Sequence, residues 1–264
     1  IWTKKKGIGK IKTDRVLNEV LPLLTNRKYS ARPVASDNSA WQTYLMDSKK
    51  LLKIKGNNFY VARSGAYTSP YGVFWINIQQ KLLNGNLKVT NNTSQGKRII
   101  PNIEEVIESD LVFPVVRGSD INKWGVDISI FALIVQDPHK HNKGYDENIM
   151  KQKWPRTYSY LTRFKEFLIT QAAYNKFHKD QNNPFYSQYN IGDYTFANYK
   201  VIWNQMGNEL SASVISQKKT LFGYKPVIPL HTTALIATNN EPEAHYLCAI
   251  INSTPVRDFI KSFS

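Results

Sequence analysis

Apolar residues Val16, Leu17, Val20, Leu21 and Leu24 recur at helical spacing behind Thr13 and Asp14, either of which can cap, and Pro22 limits the length. A short helix is predicted there and a second over residues 40–48. From Leu51 the period changes to two. Leu52 and Ile54 alternate with Lys53 and Lys55, Asn57-Asn58 makes a turn, and residues 59–62 return as a strand. Residues 72–78 and 86–90 predict further strands. Residues 99–116 are apolar but broken by Pro101 and Pro114, with Glu104, Glu105 and Glu108 marking a brief helix before an extended segment. Residues 128–136 form the clearest core strand.

Beyond a polar excursion at 138–148, Pro155 opens a helix on which Tyr158, Leu161, Phe164 and Leu168 share a face. Residues 177–190, rich in Asn, Gln, Lys and His, read as a long surface loop able to carry function. Strand character returns over 194–206, 211–216 and 234–238. Pro242 with Ala244, Leu247, Cys248 and Ile251 marks a helix, and residues 255–263 add a further turn or two. Strands and helices intermingle without regular alternation, so the expected fold is a mixed α+β domain with mainly antiparallel sheets and packed helices.

The chain carries 35 Lys and Arg against 20 Asp and Glu, a formal charge of +15. Such a surplus favours polyanions through counterion release, and duplex DNA is the leading partner class. The basic residues are dispersed, as expected of a folded surface rather than a tail. The single cysteine, Cys248, lies in an apolar run and reads as a small buried side chain, which leaves no disulfide framework. No apolar stretch reaches membrane-spanning length, so no membrane partner and a cytoplasmic location are expected. The chain opens on Ile1 rather than Met and reads as a fragment.

Gly7-Ile8-Gly9 lacks a third glycine and a strand before it, and suits a flexible basic segment near phosphates or a domain junction. Asn182-Asn183-Pro184-Phe185 superficially approaches an Asn/Asp-Pro-Pro-aromatic loop, but its second position is Asn and no apolar strand precedes it, so a plain loop is expected. His139 and His141, with Asp137 and Asp146 nearby, read as an exposed polar loop rather than a metal site. Glu108, Asp110 and Asp120 are interrupted by Pro114 and Gly118, which disfavours a nuclease centre. No catalytic residue, metal or cofactor is therefore expected here.

The remaining chemistry is basic and amide groups presented at turns. Arg63 opens Arg63-Ser64-Gly65-Ala66-Tyr67-Thr68, and Arg117 opens Arg117-Gly118-Ser119-Asp120. A guanidinium there can clamp phosphate or grip guanine O6 and N7, or instead pair with a nearby carboxylate, as Arg117 with Asp120. Asn204 and Gln205 carry amides able to read adenine, the alternative being a turn-forming Asn and a solvated Gln. The candidate DNA-binding residues are Arg63, Tyr67, Lys97, Arg98, Arg117, Ser119, Lys123, Asn204, Gln205, Lys218 and Lys219.

The order of several segments carries a resemblance. Residues 59–68 (FYVARSGAYT), 72–76 (GVFWI), 109–121 (SDLVFPVVRGSDI), 194–203 (YTFANYKVIW), 228–233 (IPLHTT) and 243–253 (EAHYLCAIINS) together resemble the C-terminal specificity domain of TaqI-like and Eco57I-like N6-adenine methyltransferases. The resemblance implies a target-recognition domain in a restriction-modification system, gripping duplex DNA across a cleft from the parent's own methyltransferase domain. The parent would use S-adenosylmethionine, and this chain lacks that catalytic domain. On this reading residues 1–50 are a helical lead-in joining the catalytic domain and residues 51–264 the recognition domain, with a split into two sub-lobes near 136–190 open. Family-like Arg117-Gly118-Ser119-Asp120 is assigned to fold or phosphate, and base choice to the polar loops 90–98, 139–146 and 177–189. Two other classes stay open, an unrecognised nuclease or other enzyme and a protein-interaction module of a defence system.

Overall fold

The computed structural model describes residues 2–33, 36–39, 41–44, 56–96, 98–207 and 209–262. It divides into two compact units, Ile1–Asn58 with Ser253–Ser264, and Phe59–Asn252. The first unit pairs β1 (Trp2–Lys4) with β2 (Leu24–Asn26) and β3 (Ser30–Pro33) with β4 (Trp41–Tyr44). Its helix α1 spans only Leu17–Val20, because Pro22 turns the chain into a 3₁₀ turn at Leu21–Leu23. Val16, not Thr13 or Asp14, stands at its N-cap, and no side chain caps it. The helix expected over 40–48 is a strand where it is described, and residues 45–55, including the expected Leu51–Lys55 strand, lie outside the described residues. The C-terminal helix Thr254–Lys261 is held within this unit, where Gln42 Nε2 donates to Ser262 Oγ at 2.8 Å and Thr43 N to Ser262 O at 2.8 Å.

The larger unit is built on two sheets. Its elements run β5 (Arg63–Ser64), α2 (Tyr71–Phe74), β6 (Trp75–Lys81), β7 (Leu87–Asn91), β8 (Glu104–Ile107), β9 (Val112–Val116), β10 (Ile121–Asn122), β11 (Gly125–Val126) and β12 (Ile130–Leu133). There follow α3 (Glu147–Lys153), α4 (Pro155–Thr162), α5 (Lys165–Ile169), α6 (Ala172–Phe177), β13 (Tyr199–Asn204), β14 (Ala212–Ile215), β15 (Gln217–Thr220), β16 (Gly223–Pro226), β17 (Ile228–Pro229), β18 (Thr233–Thr238) and α7 (Glu241–Ile251). A six-stranded sheet has the order β17-β9-β12-β6-β7-β8, and a four-stranded sheet β14-β13-β18-β5. All pairings are antiparallel except β17 on β9. The fold is thus α+β with mainly antiparallel sheets, as the sequence pattern predicts.

Burial explains where the pattern misleads. The glutamates at 104–108 carry no helix: Glu104–Ile107 is a strand paired with β7, with Ile107 fully buried. Each glutamate then has a partner no helical reading would supply. Glu104 pairs with Lys88 at 2.7 Å, Glu105 with Arg163, and Glu108 accepts from the N–H groups of Arg156 and Thr157 at 3.0 and 2.8 Å. Glu108 thereby satisfies orphan donors in the first turn of α4, where a negative charge is also favoured by the helix dipole. The predicted single helix from Pro155 is two, since the chain breaks at Arg163 and Phe164 between α4 and α5, though Leu161, Phe164 and Leu168 are all buried as expected. Residues 59–62 are not a strand; β5 begins at Arg63, and Phe59 and Val61 are exposed. Residues 71–74 turn helically before β6, and the 194–206 strand starts only at Tyr199.

The 177–190 segment is the largest correction. Phe177 ends α6 and residues 179–182 are exposed, but the rest is no surface loop: His178, Asn183, Phe185, Tyr186 and Gln188 are all buried. Two buried amides lay it against the chain leaving β12. Gln188 Oε1 accepts from Val135 N, Gln188 Nε2 donates to Leu133 O, and Gln136 answers with Nε2 to Gln188 O and Oε1 from Gln188 N. Side chains here do what a neighbouring strand would do, and every backbone group involved is satisfied.

Between the sheets the chain crosses at residues 230–232. β17 ends beside Val116, β18 begins at Thr233, and the turn between them takes hydrogen bonds from three other segments. Ala66 N donates to Pro229 O, His231 N to Ala66 O, Leu230 N to Val116 O, Gly65 N to Thr233 O and Gln205 N to Thr232 O, all between 2.8 and 3.0 Å. Such close backbone approach leaves no room for a Cβ. One added at Gly65 would lie 2.2 Å from Leu230 O, and one at Gly118 2.5 Å from Thr232 O. Gly118→Ala is therefore expected to lower the urea midpoint by an amount worth about 1–3 kcal/mol, whereas Gly125→Ala, with nothing within 4 Å, stays near wild type.

A pH dependence follows from His178. Burial pushes its imidazole down to about 4, while the unfolded side chain titrates near 6.5. The unfolded chain binds the proton first as pH falls, so this stability is complete above pH 6.5 and lost between 6.5 and 4, by up to roughly 3 kcal/mol. Urea melts across that window should show the loss in the wild type, and His178→Gln should flatten its slope.

Candidate nucleic-acid interface

The crossing turn forms one wall of a cleft with a volume of about 430 Å³. Tyr71, Trp75 and Gln95 face it from one side, Arg117, Gly118 and Ser119 from the end of β9, Met206 and Gly207 from the end of β13, and Leu230, His231 and Thr232 from the crossing itself. The rings are ordered. Tyr71 stacks on Trp75 at 4.4 Å, Trp75 Nε1 donates to Thr68 Oγ1 at 2.9 Å, and Tyr71 Oη lies 3.1 Å from His231 Nε2. Tyr67 meets the His231 edge at 5.0 Å and stacks on Tyr189 at 4.3 Å. Burial pushes the Tyr71 hydroxyl up and the His231 imidazole down, so both are neutral near pH 7.

Arg117 sits at the cleft rim with its charge already partnered. Its Nε and Nη2 donate to Asp120 at 3.0 and 2.7 Å, and its backbone N donates to the same carboxylate at 2.9 Å. Burial alone would raise the Asp120 carboxyl, but the guanidinium and backbone N–H outweigh it and hold it below the usual range. The pairing in turn raises the Arg117 guanidinium. Asp120 is buried, Arg117 is only partly so, and Nη1 with the second Nη2 N–H forms the edge left for a ligand. Gly118 N is also spent, donating to Thr232 Oγ1 at 2.8 Å.

Of the candidates from sequence, Arg117 and Ser119 line this cleft, and Asn204 and Gln205 lead into its Met206-Gly207 edge. Asn204 is the turn-former: Nδ2 donates to Met206 O and Glu209 O, and Oδ1 accepts from Ser211 N. Gln205 Nε2 donates to Thr233 O at 3.0 Å and Ser64 Oγ at 3.3 Å, leaving Oε1 as acceptor. Tyr67 stands behind His231, while Arg63 lies over the Tyr194 ring at 5.5 Å. The others are elsewhere. Arg98 donates to Thr170 Oγ1 at 3.3 Å, and Lys123 lies over Trp124 at the β10–β11 turn. Lys218 is drawn back onto Ile128 O at 2.7 Å, and Lys219 is exposed on the hairpin β15–β16 beside a groove lined by Ile76, Phe131 and Phe222. Lys97 and residue 208 lie outside the described residues.

Tyr71, Trp75, Met206, His231 and Thr232 were not singled out from sequence as site residues. Trp75, His231 and Thr232 carried a signal only as members of the family-like segments 72–76 and 228–233, and Tyr71 only as an aromatic four residues before Trp75.

The residues considered for catalysis are engaged in the fold. Glu108 caps α4, Asp110 accepts from Trp154 Nε1 at 3.2 Å, and Asp120 holds Arg117. In the Asn182-Asn183-Pro184-Phe185 loop, Asn183 is buried with Nδ2 3.3 Å from His178 Nδ1, and Phe185 is buried. His141 packs against Tyr194, and among the described residues no three His, Cys, Asp or Glu side chains converge as metal ligands. Gly7 and Gly9 fall in an open stretch that leads to the four-residue α1, which does not fit the phosphate- or nucleoside-holding loop a methyl-donor cofactor needs, so no step through S-adenosylmethionine is assigned to these residues. No helix among the described residues is long and apolar enough to cross a membrane.

No family model matches the chain. Over 161 residues it is 27% identical to Type II methyltransferase M.NspV of Nostoc sp., a match covering 59% of this chain and 30% of that protein. The match spans less than a third of the relative's length and supports a methyltransferase-related family for the chain.

Proposed function

We propose that this chain is the target-recognition part of a type II, IIG-like restriction-modification adenine-N6 methyltransferase, binding duplex DNA sequence-specifically. Methyl transfer from S-adenosylmethionine is assigned to a separate methyltransferase domain of the parent protein. One observation carries the reading: loops from both sheets converge on a single cleft rimmed by Arg117, Ser119 and the Gln205 turn, in a chain of net charge +15. The relative's name supports the methyltransferase setting, and the engagement of Glu108, Asp110 and Asp120 in structural bonds speaks against a nuclease centre at those carboxylates.

The cleft sorts the contacts. Away from it, the exposed Arg98, Lys123 and Lys219 supply phosphate contacts that position the duplex without reading it. Gln205, with its Nε2 fixed by Thr233 O and its Oε1 open, offers an acceptor to a base-edge amino group. Asn204 is a scaffold residue, since all its amide capacity is spent on the 204–211 turn.

Fluorescence polarisation with a randomised duplex pool, followed by selection of the tightest binders, tests this directly. Affinity should fall linearly on a log–log plot against salt. Lys219→Ala or Lys123→Ala should weaken all duplexes alike and reduce the salt slope by about 1, whereas Gln205→Ala should cost roughly 1–3 kcal/mol on selected sites only. Absence of salt-sensitive duplex binding would overturn the reading.

A further inference from the structure

Resting on that duplex-binding reading, the geometry points to a more specific use of the cleft: it receives one unstacked nucleobase of the bound DNA, laid flat against the Tyr71–His231 pair. These two rings are 21° from parallel with centroids 6.0 Å apart and are tied by the 3.1 Å contact between Tyr71 Oη and His231 Nε2. Both line the cleft and give it an aromatic surface. Trp75 backs Tyr71 at 4.4 Å and Tyr67 braces His231 at 5.0 Å, so the surface is held rigid before any ligand arrives.

Chemistry at the rim favours a base over a phosphate. A phosphate site needs donors converging from several residues, yet Gly118 N is taken by Thr232 Oγ1, and Arg117, its Nε–Nη2 edge spent on Asp120, keeps only its Nη1–Nη2 edge. Burial keeps His231 neutral, so it adds no positive charge. What the cleft does offer is flat π-surface, the apolar flanks of Leu230 and Met206, and a few single polar groups, namely Arg117 Nη1, Ser119 Oγ and the Gln95 amide. That combination suits a planar heteroaromatic ring with hydrogen-bonding edges, since every base has a π-face. The volume of about 430 Å³ lies within the roughly 300–1,000 Å³ range of small-ligand sites.

The test uses the full chain and a duplex selected from the random pool, with 5-iodo-deoxyuridine substituted at one thymidine at a time. Irradiation and peptide mass spectrometry should place one position's cross-link on the peptide holding Tyr71 and Trp75 or on that holding His231. A mismatch at that same base pair should tighten binding about tenfold, because less pairing and stacking must be broken to free the base. Tyr71→Phe, which keeps the ring, should retain the cross-link, and Tyr71→Leu should lose it. Salt-sensitive duplex binding without a cleft cross-link, or equal cross-linking in the two variants, would overturn the nucleobase assignment and leave the duplex reading standing. Absence of duplex binding would overturn both.

Discussion

The structure of the larger unit depends on one backbone crossing. Between β17 and β18 the chain leaves the six-stranded sheet and enters the four-stranded one, and residues 229–233 exchange main-chain hydrogen bonds with residues 65–66, 116 and 205. Contacts this close are possible only because Gly65 and Gly118 carry no side chain. Buried main-chain groups must find partners, so once this turn is placed, the start of β5, the end of β9 and the end of β13 are placed with it. The cleft is the outer surface of that junction. Its residues come from distant parts of the sequence but are fixed to one another by main chain, the kind of rigid platform on which recognition geometry is most easily kept.

Around the junction, charge is used sparingly inside and freely outside. Asp120 is buried against Arg117, the half-buried Glu108 caps the α4 amide groups, and Lys200 donates to Ala197 O from a fully buried position. Buried ionic groups persist where their hydrogen bonds are met. The pairing of Arg117 with Asp120 gives the guanidinium a dual part. Two of its nitrogens hold the 117–120 turn, which limits what it can offer a ligand to a single donor edge, and that limit is what makes the cleft poor for phosphate and better matched to a flat ring.

Much of the fold was legible from period and turn chemistry. The strands at 87–91, 112–116, 130–133 and 233–238 and the helix opened by Pro242 follow directly from where apolar residues recur. The errors share a cause, which is that tertiary partners decided what local pattern left ambiguous. Glu104 and Glu105 look helical until Lys88 and Arg163 are seen opposite them, on a neighbouring strand and at the end of α4. The polar 178–190 segment reads as surface until Gln136 and Gln188 are seen satisfying each other in the core. For the site, Arg117, Ser119 and Gln205 stood out because turns present them, but Lys218 did not behave as a free cation, its Nζ being committed to Ile128 O. His231 and Tyr71 escaped notice because their importance lies in a contact between residues 160 positions apart.

Hydrogen–deuterium exchange of the chain with and without a selected duplex tests the central claim most directly, that DNA is read at the junction of the two sheets. The account predicts slowed exchange concentrated in residues 65–71, 117–121, 205–207 and 230–233, with the outer face of α7 unchanged. Protection confined to segments away from the crossing, with those four left at their free rates, would contradict it.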